Sequence, residues 1–107
     1  MKRGDLVTIA ISGDYGKPRP ALVVQSDELT NLASVILAPL TSHLTENEQF
    51  RIHASAGAET GLRRPSQVMV DKILSVPRYR IGPRIGSVDA DTLAQVDRVL
   101  AALLGLG

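Results

Sequence analysis

The chain has 107 residues, a formal net charge of +1, 44% hydrophobic and 3% aromatic residues, and no cysteine. That length fits one domain of about 100–150 residues, the lack of cysteine excludes disulfides and cysteine-based zinc or redox centres, and two histidines, His43 and His53, are too few for a histidine-rich metal site. The near-neutral charge argues against bulk electrostatic capture of nucleic acid and leaves local basic patches; the few aromatics argue against base stacking as the main mode of binding. Met1-Lys2-Arg3-Gly4-Asp5 lacks the apolar run of a signal peptide, and stretches such as residues 35–40 are too short to span a bilayer. No membrane attachment and a cytoplasmic location are therefore expected.

Residues 6–11 read as a first strand and residues 12–16 as a turn-rich connection. Lys17-Pro18-Arg19-Pro20 then sets one arginine between two prolines. Pro18 has φ near about −65°, and Pro20 pushes Arg19 into an extended conformation. Two readings stand: the prolines stop edge pairing beside a solvated arginine, or they pre-organise a guanidinium whose rigid fork of donors meets a phosphate or carboxylate. Residues 21–25 and 35–38 are largely continuous apolar runs, which favours buried strands; a short helical turn is expected over residues 26–34. The second run emerges into Thr41-Ser42-His43. Their hydroxyls can donate to a phosphoryl oxygen, and His43 can exchange a proton near neutral pH. The competing reading is that strand-end Thr and Ser bond their own backbone.

Residues 49–54 alternate, with Phe50, Ile52 and Ala54 facing one way and Gln49, Arg51 and His53 the other. Arg63 and Arg64, in Gly61-Leu62-Arg63-Arg64, either contact phosphates or are solvated surface. A strand over residues 66–70 runs out into Asp71 and Lys72, which face opposite ways if it continues, and residues 84–86 read as a further short strand. Many short strands predict a compact antiparallel barrel or sandwich. Asp89 is a helix N-cap, Leu93, Val96, Val99, Leu100, Leu103 and Leu104 recur at helical spacing, and Gly105 is a C-cap. One amphipathic helix packed over the barrel is the simplest arrangement. No glycine-rich phosphate loop, nucleophile elbow or zinc-helix motif occurs, and Asp89 and Asp91 sit where a helix start needs its cap and acidic first turn.

In this order, Lys2-Arg3-Gly4-Asp5-Leu6-Val7, Arg19-Pro20-Ala21-Leu22-Val23-Val24, Ala38-Pro39-Leu40-Thr41-Ser42, Gly61-Leu62-Arg63-Arg64 and the helix over residues 91–106 resemble the MazF/PemK family of bacterial toxins. The resemblance implies a mainly β fold, a small SH3-like antiparallel barrel similar to CcdB with a C-terminal α-helix, forming one toxin domain over residues 1–107. It implies a homodimeric, metal-independent endoribonuclease that needs no cofactor, cleaves single-stranded RNA at short sequences and is neutralised by a cognate antitoxin. The family's catalytic arginine falls on Arg19 and its catalytic threonine on Thr41. Its chemistry is attack of a ribose 2′-hydroxyl on the adjacent phosphate, leaving a 2′,3′-cyclic phosphate, in some members a 3′-phosphate, and a free 5′-hydroxyl. Donors aimed at the equatorial oxygens suit that transition state, whereas a guanidinium with a pKa above about 12 is a poor base. Lys17, Ser42, His43, Arg63, Asp71 and Lys72 are the expected RNA contacts, and an antitoxin segment that folds on binding is expected to cover them.

The chain departs from the family in three places. The connection before Arg19 is shorter than the Gly-x-Glu-Gln type, Lys72 stands where many relatives carry Gln, and the arginine–aspartate pair of some PemK-like members reads Met69 and Asp71. An arginine–aspartate mechanism is therefore not carried over. Two alternatives are a CcdB-like gyrase poison, for which the tail Leu103-Leu104-Gly105-Leu106-Gly107 lacks an aromatic residue, and a non-catalytic barrel that binds peptide or RNA.

Overall fold

The apolar runs pair into one antiparallel sheet. Its strands are β1 (Asp5–Ala10), β2 (Pro18–Val23), β3 (Ser34–Thr41), β4 (Arg51–Ala54), β5 (Ser66–Met69), β6 (Leu74–Pro77) and β7 (Ile81–Ser87), followed by helix α1 (Ala90–Leu104). The structure, a computed structural model, describes residues 1–10, 17–46 and 49–107. The expected turn over residues 12–16, and Ile11 at the end of the first strand, lie outside the described residues. The strand order is β4-β5-β3-β2-β1-β7, with β6 also paired to β3. Among the described residues no ladder joins β4 to β7, so the expected barrel is an open one of the same mainly β class.

Strand β3 is the hub. One edge meets β2 through Val23–Leu37, Leu22–Ala38 and Ala21–Pro39. The other edge takes β6 along residues 34–37 and then β5 at Leu40 and Thr41. The N–H groups of Val24 and Gln25 both donate to the Ile36 carbonyl at 3.2 Å. Even-numbered residues of β3 thus turn their backbone groups toward β2, and odd-numbered ones toward β6 and β5. The N–H that Pro39 lacks would lie on the outer edge, between the last β6 partner and the first β5 partner, where no ladder bond is required.

The same parity operates on β2. Val23 accepts from the Gly4 N–H at 2.9 Å on the β1 side, so odd residues bond β1 and even ones face β3. Pairing with β1 therefore runs past Thr8–Pro20 and Ile9–Arg19 to Ala10–Pro18. Toward β3, the donors missing at Pro18 and Pro20 end the ladder at Ala21–Pro39.

Side chains alternate between two apolar layers. Leu6, Leu22, Ala38, Leu40 and Val68 pack with Val96 of α1, and Val7, Ile9, Ala21, Val23, Val35, Leu37 and Val76 form the other cluster. Val99, Leu100 and Leu103 extend the helix face that meets the first layer. Each fully buried valine, leucine or isoleucine among them contributes about 1.5–3 kcal/mol. The helix ends match the expected chemistry: Asp89 accepts the Thr92 N–H at 2.7 Å, and Gly105 adopts φ +71°. No helix among the described residues is long and apolar enough to cross a membrane.

Arg3-Gly4-Asp5 proves to be a clasp. The Arg3 guanidinium pairs with the Asp97 carboxylate on α1 and donates its Nε to the Val24 carbonyl at 2.9 Å. Gly4 has φ +94°, and a Cβ there would stand 3.3 Å from Leu93 Cδ2. Asp5, 8% exposed, accepts the Lys2 N–H at 2.8 Å and Arg84 Nε at 3.0 Å.

Several expectations need correction. The strand over residues 66–70 ends at Met69, because Val70–Lys72 wind into a 3₁₀ turn; Asp71 and Lys72 are not alternate residues of a strand. Residues 26–34 hold no helix: Leu29 N–H closes a turn on Ser26 O at 3.1 Å, and the Gln25 amide ties Leu29 O to Ile36 N–H. Strand β6 has no clear alternation in its sequence, and β7 runs well beyond residues 84–86, with register shifts between Leu6 and Ile9 that accommodate Pro83.

Burial alone would raise the Asp5 pKa, but the Lys2 N–H and Arg84 outweigh it and hold the carboxyl below its ordinary value. A depressed folded pKa contributes stability that is complete above the unfolded value of about 3.9 and is lost as pH falls through the folded one. Asp5→Asn is expected to lower the unfolding free energy at pH 7 by about 1–2 kcal/mol. The gap to wild type should close as both are titrated below pH ~3 in urea denaturation.

Candidate active site

Arg19 and Thr41 lie just past the point where the β2–β3 ladder stops. Arg19 lies two residues before the last pair, Ala21–Pro39, and Thr41 two residues after it. Continued past its last pair, the same register would set them opposite one another. Alternation turns both toward the face of Ala21, Val23 and Leu37. Arg19 is exposed and Thr41 half-buried.

Thr41 shows the strand-end habit: its Oγ1 accepts the His43 N–H at 3.1 Å. A hydroxyl that accepts through a lone pair still has its own proton to donate. The backbone bond thus orients the group without consuming its donor, and the two readings of Thr41 are compatible.

On the other face of the same strand tips lies a groove of about 510 Å³, whose lining includes Thr8, Pro18, Pro20, Ser42, Arg63 and Arg64. The loop that carries the two arginines is fixed at several points. Thr60 Oγ1 donates to Ser55 O at 2.6 Å and accepts the Leu62 N–H at 3.2 Å. Gly57 N–H donates to Leu62 O at 3.1 Å, and Ser87 N–H to Glu59 O at 2.9 Å. Leu62 is buried in the first core layer. Gly61 has φ +72°, and a Cβ there would stand 1.9 Å from the Ile85 carbonyl oxygen. Arg63 and Arg64 therefore leave from a rigid backbone.

Of the expected RNA contacts, Ser42 and Arg63 line the groove. Lys17 and His43 are exposed beside Pro18 and Ser42, but are not among its lining residues. Asp71 and Lys72 lie in the turn beyond the far end of β5, about 10 Å along the chain from the residue opposite Thr41, and are not brought to the strand tips. Arg64 and Thr8 join the site instead. The doubled arginine advertised the first, whereas nothing local marks the second. A cleft of similar size lies between residues 53–60 and the start of α1, but Glu59 and Asp89 line it and it holds no guanidinium, so it suits a polyanion poorly. Among the described residues, no three His, Asp or Glu side chains group as metal ligands.

A family profile described as "PemK-like, MazF-like toxin of type II toxin-antitoxin system" matches residues 2–104. The chain is 38% identical over 107 residues to the probable endoribonuclease MazF of Mycolicibacterium smegmatis, covering 99% of this chain and 98% of that protein. It superposes on a chain of the MazE-MazF crystal structure from Deinococcus radiodurans with a TM-score of 0.83 and 27% identity, covering 100% of this chain and 97% of that one. A structure titled as an endoribonuclease in complex with its cognate antitoxin from a mycobacterial species shares the fold, with a TM-score of 0.82 at 21% identity over 100% and 97% of the two chains.

Gly61→Ala is expected to destabilise the protein by about 2–4 kcal/mol, since left-handed strain adds to the clash with Ile85. Gly57→Ala, also at positive φ but with nothing within 4 Å of the new Cβ, should lose less. Thermal unfolding of both variants compares the two.

Proposed function

The chain belongs to the PemK-like, MazF-like family of toxins of type II toxin–antitoxin systems, and from that membership and the strand-tip geometry we propose a metal-independent endoribonuclease, one domain over residues 1–107, that cuts single-stranded RNA. The observation that supports this reading is the position of Arg19 and Thr41, each two residues past the last β2–β3 pair and on the same alternation face.

The arrangement offers positive charge and a hydroxyl donor, a set suited to a substrate that supplies its own nucleophile. In RNA that nucleophile is the ribose 2′-oxygen. It bonds to the adjacent phosphorus, its proton passes to solvent, and the bond to the 5′-oxygen breaks as that oxygen gains a proton. The products are a 2′,3′-cyclic phosphate and a 5′-hydroxyl. Arg19 neutralises the charge growing on the non-bridging oxygens, and Thr41 donates a hydrogen bond to one of them. A guanidinium is a poor proton acceptor, so Arg19 acts through charge and direction, not as a base.

The groove lined by Ser42, Arg63 and Arg64 takes flanking phosphates, which sets the strand's path over the Pro18–Pro20 tip. A cognate antitoxin is the protein partner and competes for the same surface. The toxin is a homodimer and acts in the cytoplasm, where its RNA substrate is found. The gyrase-poison reading gains nothing from the exposed, non-aromatic tail at Leu104 and Leu106.

Purified protein incubated with a complex RNA and EDTA should leave 5′-hydroxyl ends at a short recurring sequence. Arg19→Ala should abolish cutting in a folded protein, and Thr41→Ala should slow it about 10–1000-fold; wild-type rates in folded Arg19→Ala would remove that residue from the site. With about three phosphate contacts, at Arg19, Arg63 and Arg64, log Kd should rise by about 2 per log unit of salt. A slope of zero would exclude RNA as the ligand.

A further inference from the structure

After Thr41 the chain leaves the ladder to begin its connection to β4, which pairs with the other edge of β5 and runs parallel to β3. Gln67, the cross-strand partner of Thr41 on β5, ties this connection down. Its Oε1 accepts the Thr45 N–H at 3.1 Å and its Nε2 donates to the Thr45 carbonyl at 2.8 Å. The Thr45 hydroxyl also stands 3.5 Å from the same Oε1. One side-chain amide thus satisfies both backbone groups of Thr45, as a paired strand residue would. The orientation of the amide is dictated, because the oxygen must face the N–H and the nitrogen the carbonyl. Both residues are half-buried, so water does not freely replace these bonds.

The five residues from Thr41 to Thr45 are therefore held at two points. Near the start, Thr41 Oγ1 accepts the His43 N–H; at the end, Gln67 grips Thr45. Between them the backbone of residues 42–44 is tethered at both ends, and the His43 N–H that it carries bonds the Thr41 hydroxyl oxygen. Asparagine would be one methylene too short to span the gap, and glutamate would set a carboxylate against the Thr45 carbonyl.

We propose that Gln67 is a positioning residue for the cleavage reaction: by clamping Thr45 it fixes the Thr41–His43 backbone and aims the Thr41 hydroxyl at the phosphate. This rests on the ribonuclease reading of the strand tips. Gln67 itself touches neither the phosphate nor Arg19; it acts through Thr41.

The test is steady-state cleavage of a single-stranded RNA by the full chain carrying Gln67→Ala or, to keep the packing, Gln67→Glu, each alone and combined with Thr41→Ala. In each single variant kcat should fall about 10–100-fold with KM unchanged and the melting temperature within a few degrees of wild type. In the Thr41→Ala background the same substitutions should bring no further loss. An unchanged kcat in both single variants, or an equal loss with and without Thr41, would overturn the positioning role while leaving the ribonuclease reading intact. A folded wild-type protein that cuts no RNA would instead overturn that reading, and the proposal with it.

Discussion

Three missing hydrogen-bond donors govern this molecule. A proline in a strand removes one N–H, and the effect on the sheet depends on which edge that N–H would have faced. Pro18 and Pro20 lose theirs toward β3 and keep intact the bonds of the intervening Arg19 toward β1. Strand β2 can therefore stay anchored on one side while its tip separates from β3 on the other. Pro39 loses its donor on the far edge of β3, at the handover from β6 to β5. With two partners sharing one edge, a short strand supports a sheet larger than its own length would allow.

The proposed chemistry is built around that tip. A phosphodiester under attack needs donors that are already in place, because reorganising dipoles during the reaction would forfeit much of their effect. Arg19 is held by a backbone paired through Ile9 on β1, Thr41 by the last pairs of β3, and the arginine loop by Thr60 and the close packing at Gly61. Each group of the proposed site is thus supported by a neighbour outside it. The same division of roles explains Arg3-Gly4-Asp5, whose ionic groups are engaged by α1, β7 and the chain's own start.

Much of this was legible from residue order alone. The continuous apolar runs of β2 and β3 announced buried strands, the alternation at Ile52 and Ala54 announced β4, and Asp89 with Gly105 bracketed the helix. Arg19 and Thr41 stood out because each combines an uncommon local setting with a group suited to phosphate. Other features are products of pairing, which no local pattern records. Strand β6 exists because β3 has an edge to offer, and β7 extends past the expected residues 84–86 because β1 does. Gln67 looks like any polar strand residue until the register sets it opposite Thr41 and the returning connection brings Thr45 to its amide. Asp71 and Lys72 misled for the complementary reason: they come after a strand whose direction changes one residue before them, at Val70.

The clasp between Arg3 and Asp97 spans ninety-four positions, and β1 finds its outer neighbour only in residues 81–87. Contacts of that span carry a large loop-closure cost and slow folding. Arg19, Thr41 and Gln67 all leave the ribosome before the strand and helix that complete the frame around them. A truncation that removed β7 and α1 would therefore leave all three residues in the chain and take away the outer partner of β1 and the Asp97 partner of Arg3.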